Sequence, residues 1–127
     1  MRRVVSVLLL GVAVGACSST LDPATLAGSW SKLELIPGNS VNMTLATSGM
    51  NISGSGNWCG EALGCGTLTV SGKAIGNAIH LDIVYNNGLI EHFDGQINTF
   101  SILDGSARSE FPGQPPRLPY AVTFRRR

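Results

Sequence analysis

Apolar and polar residues alternate along most of the chain after residue 27, as in strands with one face in a core and the other in water. Val41, Met43 and Leu45, for example, alternate with Asn42 and Thr44. This two-residue period predicts eight strands, and no helical stripe of comparable length competes with it. The predicted strands are Gly28–Leu35, Val41–Ala46, Met50–Trp58, Gly66–Lys73, Asn77–Tyr85, Leu89–Ile97, Thr99–Ala107 and Pro119–Arg126.

The connections between these segments are mostly short, which favours a meander of neighbouring hairpins. Eight strands without a covering helix hide their edges either by closing into a barrel or by splitting into a sandwich. Glycines in or beside the strands allow the sharp coiling that helps closure. They are Gly54, Gly56, Gly72, Gly95 and Gly105. We therefore predict an all-β fold, an eight-stranded antiparallel up-and-down barrel, with a β-sandwich as the alternative.

The hairpin around Asn86-Asn87-Gly88 can be interpreted at the level of register. A two-residue turn would place Ile83 opposite His92 and mix the two faces of the sheet. A three-residue loop with Gly88 in the left-handed conformation keeps the faces separate. The predicted pairs are then Leu81 with Phe93 on the apolar face, and Asp82 with His92 and His80 with Asp94 on the polar face.

The residues predicted to face the interior are medium-sized and include few aromatic rings. They are Val41, Met43, Leu45, Ile52, Leu68, Val70, Ile79, Leu81, Ile83, Val122 and Phe124. An eight-stranded barrel is just wide enough to be filled by its own side chains or to hold one small ligand. The pattern places no convergent polar groups inside, so we predict a packed interior rather than a carrier pocket.

Composition narrows the range of functions. A chain of 127 residues supplies one domain. Its formal net charge of +1, with 13% charged residues, leaves no basic surface for nucleic acid. The two histidines lie in no recognisable nucleophile motif. We therefore expect no enzymatic activity and no cofactor.

The N-terminus has the features of an export signal. Met1-Arg2-Arg3 is basic, and Val4–Val14 is an apolar run of about 11 residues, which is too short to span a membrane as a helix. Val14-Gly15-Ala16-Cys17 resembles the lipobox of bacterial lipoproteins. In that family the cysteine receives a diacylglycerol, the peptide before it is removed, and the new amine is acylated. An ordinary secretory signal cut after Ala16 is the alternative.

The lipobox resemblance implies a protein of the bacterial cell envelope that contacts the membrane through a lipid on Cys17. Several acyl chains would make the anchoring effectively permanent. Ser18, rather than Asp, follows the cysteine, and by the same resemblance this favours the outer membrane. The chain is accordingly divided into a lipoprotein signal peptide over 1–16, a lipidated tether over 17–27 and a barrel domain over 28–127.

Two cysteines, Cys59 and Cys65, would remain in the oxidising envelope after the signal is removed. A pair at this spacing predicts one disulfide. A metal site is the weaker interpretation, because two cysteines without a nearby histidine supply at most half of a zinc ligand set. Trp58 directly precedes this pair, and we interpret it as core packing, with a ligand-stacking wall as the alternative.

The two ends of the barrel domain carry a second resemblance. Gly28-Ser29-Trp30 opens the first strand, and Phe124-Arg125-Arg126-Arg127 closes the last. The combination resembles the calycin superfamily of barrels, which includes lipocalins and avidins. It implies that Trp30 packs at the closed end with Arg125 or Arg126 across it. A guanidinium on an indole face contributes about 0.5–2 kcal/mol.

Leu26-Ala27-Gly28-Ser29-Trp30, together with one disulfide, is also similar to small bacterial barrels that inhibit metalloproteases. Those barrels insert a free N-terminal segment into the protease cleft. An acylated Cys17, about ten residues before Gly28, counts against such insertion here. Inhibition therefore stays an alternative.

His80, Asp82, His92 and Asp94 are the one constellation of metal-ligand types in the sequence. In the predicted register they share the outer face of two adjacent strands, and imidazole with carboxylate suits zinc or a similar divalent ion. Charge-assisted contacts between strands on a solvated face explain the same residues. The sequence identifies no outer partners for the histidines, so we expect such contacts rather than a metal site.

These observations favour a membrane-anchored envelope lipoprotein whose packed barrel is a non-catalytic accessory or interaction module. Its candidate partner, besides the membrane, is an envelope protein. The stiff proline-rich loop over 111–119 is a candidate contact surface, because ordering it costs little entropy. The alternatives are a tethered carrier of a small apolar ligand and a protease-inhibitor-like barrel.

Overall fold

The computed structural model describes residues 21–34 and 36–127, which form a closed antiparallel barrel of eight strands. Each strand pairs with the next along the chain, and β1 pairs with β8 to close the sheet. The strands are β1 Gly28–Lys32, β2 Ser40–Ser48, β3 Asn51–Gly60, β4 Gly64–Ile75, β5 Ala78–Tyr85, β6 Ile90–Thr99, β7 Ile102–Glu110 and β8 Tyr120–Arg126. The predicted barrel is confirmed, and the sandwich alternative is wrong.

The strand boundaries differ most from the prediction at β7. The pattern placed its start at Thr99, whereas the strand begins at Ile102. Phe100 and Ser101 form the turn that joins β6 to β7, and the Phe100 side chain is exposed. The sequence pattern cannot distinguish a large apolar residue in a turn from one in a strand, because it reports the polarity of a side chain and not where that side chain points.

The β5–β6 hairpin has the predicted register. Asp82 lies opposite His92, His80 opposite Asp94, and Leu81 opposite Phe93. The Tyr85 amide donates to the Leu89 carbonyl at 2.9 Å, so these two residues pair and leave a loop of three, the last of which, Gly88, has φ 96°. The Gly88 amide donates to the Tyr85 carbonyl at 3.0 Å, which closes the turn. The requirement that apolar and polar side chains stay on separate faces of the sheet therefore predicted the correct loop length.

The interior is an apolar core, and all eleven residues predicted to face inward are buried. Trp30, Phe93 and Leu103 are buried with them. The Phe93 and Phe124 rings meet edge to face with centroids 5.3 Å apart, a favourable aromatic arrangement. Side chains from all eight strands thus meet across the barrel.

Close approach between neighbouring backbones depends on the strand glycines that the sequence singled out. At each of five positions, an added β-carbon would lie 1.9–2.4 Å from a backbone carbonyl oxygen of the adjacent strand. They are Gly54, Gly56, Gly72, Gly95 and Gly105. At Gly56 the obstructing atom is the carbonyl oxygen of Asn42, 1.9 Å away. These glycines let the strands coil tightly enough to close a narrow barrel.

The N-terminal end of the barrel is capped. Pro23–Leu26 forms one turn of 3-10 helix, and the Asp22 carboxylate accepts a hydrogen bond from the Ala24 amide. Leu26 is fully buried, and its carbonyl accepts a hydrogen bond from Trp30 Nε1 at 2.9 Å. Part of the segment expected to be a tether is therefore an ordered cap that closes this end. No helix among the described residues is long and apolar enough to cross a membrane.

The predicted disulfide joins Cys59 and Cys65 at the opposite end of the barrel. The two residues lie directly opposite each other on β3 and β4, with Cα atoms 4.0 Å apart. The bridge therefore staples the β3–β4 hairpin next to its turn. This confirms the disulfide, and the half-zinc alternative for these cysteines is wrong.

We predict that Gly56→Ala destabilises the barrel, because the new methyl group meets the Asn42 carbonyl oxygen. The expected loss in unfolding free energy is about 1–3 kcal/mol, measured by urea denaturation. Gly60→Ala in the same strand is the control, since its β-carbon would be in ordinary contact, 3.4 Å from Leu63 Cβ. Equal urea midpoints for the two variants would contradict the close-approach explanation.

Candidate functional site

A polar cluster lies inside the barrel at the open end, the end opposite the 3-10 cap. The Glu91 carboxylate is at its centre, on an inward position of β6 where only 1% of the residue is exposed. Lys32, the last residue of β1, reaches inward and donates to Glu91 Oε2 at 2.6 Å. The side chains of this ion pair are 14% and 2% exposed. The pair is thus largely removed from water.

Hydroxyl groups complete the partners of Glu91. The Tyr85 hydroxyl donates to Glu91 Oε1 at 3.0 Å, and the Tyr120 hydroxyl donates to Oε2. Ser109 is hydrogen-bonded to the Tyr120 hydroxyl, and the Lys32 ammonium lies 5.6 Å from the centre of the Tyr120 ring. A buried charge is tolerated only when it is paired and hydrogen-bonded, and here both carboxylate oxygens have partners.

Burial raises the pKa of both phenols in this cluster. The pKa of Tyr85 lies above its ordinary value of 10.0 because the hydroxyl is desolvated and faces the Glu91 charge. The pKa of Tyr120 is raised by burial first and by its hydrogen bond to Glu91 second. Both hydroxyls are therefore held in the neutral form, in which they can donate to the carboxylate.

The expectation that no convergent polar groups lie inside the barrel is wrong. Glu91 lies opposite Ile83, on the same side of β6 as Phe93. The predicted register already implied this position, because it placed His92 on the outer face and so turned Glu91 inward. Its cation could not be found in the same way, since the contact between Lys32 and Glu91 joins residues 59 positions apart.

A small cavity of about 160 Å³ lies at this open end, lined by the polar cluster and by Trp58. Trp58 is buried, donates from Nε1 to Asn86 Oδ1 at 2.9 Å, and meets the Tyr85 ring edge-on. Pockets for drug-sized ligands have volumes of about 300–1,000 Å³. The space is therefore too small for such a ligand, in agreement with a packed interior, and Trp58 serves chiefly as packing.

A larger hollow lies outside the barrel, at the capped end. It has a volume of about 720 Å³ and lies between the N-terminal segment and the β6–β7 turn. Leu21, Thr25, Ile97 and Phe100 are among its lining residues. The groove contains none of the polar cluster around Glu91. It is a broad opening rather than an enclosed pocket.

The capped end carries the arrangement that the calycin resemblance implies. The Arg126 guanidinium lies 4.4 Å from the centre of the Trp30 ring. It donates to the carbonyls of Ala27 and Phe100, each at 2.8 Å, and to that of Thr25. The other candidate, Arg125, precedes Arg126 by one residue in β8 and is exposed on the outer face. Arg126 therefore ties the cap to both the first strand and the β6–β7 turn.

The second group of interest is a row of alternating carboxylates and imidazoles on the outer wall. Asp94 contacts His80 Nδ1 at 2.7 Å, and His80 Nε2 contacts Asp82 at 2.8 Å. Asp82 contacts His92 Nδ1 at 2.5 Å, and His92 Nε2 contacts Glu110 at 2.9 Å. The structure thus brings together all four sequence-predicted residues and adds Glu110. This fifth residue was missed because it lies on β7, whose register against β6 was not predicted.

Every ring nitrogen in this row faces a carboxylate oxygen. The pKa of His80 is raised chiefly by its hydrogen bond to Asp94, and that of His92 chiefly by its hydrogen bond to Glu110. Burial raises the pKa of Asp82, but hydrogen bonds from His92 and His80 outweigh it and leave that pKa below its ordinary value. The hydrogen bonds of the row thus favour the protonated form of both rings.

Comparison with known proteins gives no family for this chain. No protein-family model matches it, and no curated protein matches it. A solved structure described as EF1p2_mFAP2b bound to DFHBI aligns with a TM-score of 0.59 and 11% identity, over 81% of this chain and 94% of that one. At this identity the likeness shows the barrel fold alone. Cys17 and the lipobox lie outside the described residues.

Breaking the buried ion pair should be costly. We predict that Lys32→Met lowers the unfolding free energy by about 3 kcal/mol, because Glu91 would lose its cation while staying buried. Lys73→Met is the control, since Lys73 is the chain's other lysine and is exposed; we expect a change within about 0.5 kcal/mol. Urea denaturation of both variants measures the difference, and equal losses would contradict the assignment.

Both tyrosines of the chain belong to the cluster around Glu91, Tyr85 buried and Tyr120 36% exposed, so their titration can be followed without assignment. Folding raises both pKa values, so the associated stability is present below pH 10 and is lost as the pH rises above it. We predict that phenolate absorbance stays flat through pH 10 in the native protein and appears only as the barrel unfolds. A phenol that ionises near pH 10 while circular dichroism stays native would contradict this.

Proposed function

We propose that this chain is a non-catalytic lipoprotein of the bacterial cell envelope, anchored in the outer membrane through Cys17. Its packed barrel acts as an interaction module that presents its open end to an envelope protein. One observation carries the proposal: the chain enters the barrel at the capped end, and the exposed apolar residues of three connections surround the opposite, open end.

The capped end is suited to face a membrane. Leu21 lies four residues after Cys17, and four residues span at most about 14 Å, so a lipid on Cys17 would hold this end close to the bilayer. Turns and strand ends at the capped end carry exposed apolar side chains. They are Met50, Ile75 and Phe100. Such side chains gain free energy when they enter the headgroup region, and exposed arginines at the same end favour anionic lipids.

The open end is suited to bind a protein. Exposed aliphatic side chains surround it on the β1–β2, β3–β4 and β7–β8 connections. They are Leu33, Ile36, Leu63 and Leu118, of which Leu118 is 88% exposed. Burying these side chains against a partner would remove apolar surface from water and stabilise the contact. The disulfide and the proline-rich loop over 111–119 restrict two of the three connections, which lowers the entropy lost on binding.

The alternatives have less support. A carrier of a small apolar ligand needs a larger cavity than the 160 Å³ at the open end. The solved structure that shares the fold is described as bound to DFHBI, but this concerns that protein. An inhibitor that inserts its N-terminal segment needs that segment free, whereas Leu21 donates to Asn77 Oδ1 at 2.9 Å next to the cap.

Lipidation is tested first. We expect protein extracted from membranes to be heavier than unmodified 17–127 by a diacylglyceryl and an acyl group, measured by intact mass spectrometry. Cys17→Ser should release the protein from the membrane fraction or leave it unprocessed. The Cys59→Ser/Cys65→Ser double variant is the matched control, because it removes the other two cysteines and should stay in the membrane. A mature wild-type chain without lipid, or one found in the soluble fraction, would overturn the anchor.

Orientation is tested with a pair of tryptophan substitutions. Phe100→Trp at the capped end should be quenched by brominated lipids when the lipidated protein is in vesicles, because this side chain would lie in the headgroup region. Leu118→Trp at the open end should not be quenched, and the native Trp30 and Trp58 are buried and give a constant background. Equal quenching of the two variants would contradict the orientation and leave the lipidation result standing.

A further inference from the structure

We propose that His80, Asp82 and His92 bind a divalent transition-metal ion of the zinc class on the outer wall of the barrel. One ligand atom from each residue lies within 4.8 Å of the other two. His80 and Asp82 share the outer face of β5 because they are two residues apart, and Asp82 lies directly opposite His92 on β6. The site does not depend on the lipid anchor or on the open end of the barrel.

The three ligand atoms already lie close to one another, with Asp82 between the two rings. Asp82 Oδ1 lies 2.8 Å from His80 Nε2 and 2.5 Å from His92 Nδ1. Ligands at about 2.0–2.1 Å from a tetrahedral zinc ion are about 3.3 Å apart. The two oxygen–nitrogen distances would therefore lengthen by less than about 1 Å to match this spacing. Both strands are held in the barrel wall, so the backbone positions are already set.

The outer partners of the two histidines distinguish this arrangement from ordinary surface ion pairs. His80 Nδ1 contacts Asp94 at 2.7 Å, and His92 Nε2 contacts Glu110 at 2.9 Å. Metal-binding histidines almost always donate their second ring N–H to a carboxylate or carbonyl, which fixes the tautomer and the ring. Here each ring has its own carboxylate on the side away from Asp82. The nitrogens that face Asp82 are thereby left as the ligand atoms.

The absence of such outer partners was the reason for expecting simple charge contacts from the sequence, and the structure supplies both of them. The two rings lie nearly parallel, with a 17° angle between their planes, and point their ligand nitrogens at the same oxygen. Two imidazoles and a carboxylate suit zinc, nickel or copper(II) rather than magnesium or calcium, which prefer all-oxygen sites.

Space and charge around the site are compatible with a bound cation. A hollow of about 150 Å³ lies beside both rings, on the side of Glu110 and Pro116. Three carboxylates, those of Asp82, Asp94 and Glu110, surround the rings, while Lys73 lies opposite His80 and Arg108 lies opposite His92. The three acidic groups thus exceed the two flanking basic ones before an ion binds. The ligand side chains are partly exposed, so an ion can enter from solvent.

Metal titration of the full chain, extracted in detergent and stripped with a chelator, tests the site. We expect one equivalent of Zn²⁺ by calorimetry and one equivalent of Co²⁺ with the visible absorption of a low-coordinate cobalt ion. Mg²⁺ and Ca²⁺ should not bind. The chain has only two histidines, so proton magnetic resonance should show both imidazole rings shifting at one equivalent of Zn²⁺. No binding at one equivalent, or a shift of only one ring, would overturn the proposal.

Substitutions distinguish the proposed metal ligands from the carboxylates that are hydrogen-bonded to the histidine rings. Asp82→Asn and His92→Gln should each abolish one-equivalent binding. Asp94→Asn and Glu110→Gln should retain the site with about 10–100-fold weaker affinity, the usual effect of losing an outer partner. Asp104→Asn, on the outer face of β7 but bonded to Asn98 and Thr123, is the matched control and should bind as the wild type does. Undiminished affinity in His92→Gln would overturn the site, and the imidazole shifts of the wild type decide the matter if a variant fails to fold.

Discussion

The whole molecule depends on the close approach of neighbouring backbones at inward-facing glycines. At Gly56 and Gly72 a β-carbon would be 1.9–2.0 Å from a carbonyl oxygen of the adjacent strand. Side chains at these positions would push the strands apart and open the sheet. Because the glycines remove this obstacle, eight short strands coil enough for β1 to pair with β8. A narrow closed barrel follows, and its interior has room only for its own side chains.

This narrowness gives the two ends different characters. At the capped end, the interior is sealed by Leu26 and by Trp30, whose ring lies under the Arg126 guanidinium. At the open end, the apolar core gives way to the Lys32–Glu91 ion pair and its two phenols. A buried pair of this kind adds little net stability over an apolar core, but it is costly to break. We interpret it as a feature that fixes how β1 and β6 face each other across the mouth.

On the outer wall, the pairing register of three strands brings together imidazoles and carboxylates that no single strand contains. His80 and Asp82 belong to β5, His92 to β6 and Glu110 to β7. A shift of one residue between β5 and β6 would place Glu91 or Phe93, both inward-facing, opposite Asp82 instead of His92. The same face segregation that buries Leu81 against Phe93 therefore assembles the row of imidazoles and carboxylates outside. Core packing and the candidate metal site are in this sense set by one constraint.

The sequence by itself determined the order of the eight strands, most of the apolar residues of the interior, the β5–β6 register and the cysteine pair. These features depend on short-range rules: alternation identifies the buried face, loop length sets the register of a hairpin, and cysteines close in sequence meet across it. Only the tertiary structure decided the ion pair between Lys32 and Glu91, the choice of Arg126 over Arg125 at the cap, and the addition of Glu110 to the outer row. Glu110 reaches His92 through the register of the neighbouring strands β6 and β7, whereas the other two contacts join elements that meet only when the sheet curves and closes. Such contacts depend on strand tilt and stagger around the whole barrel, which the polarity of individual segments does not encode.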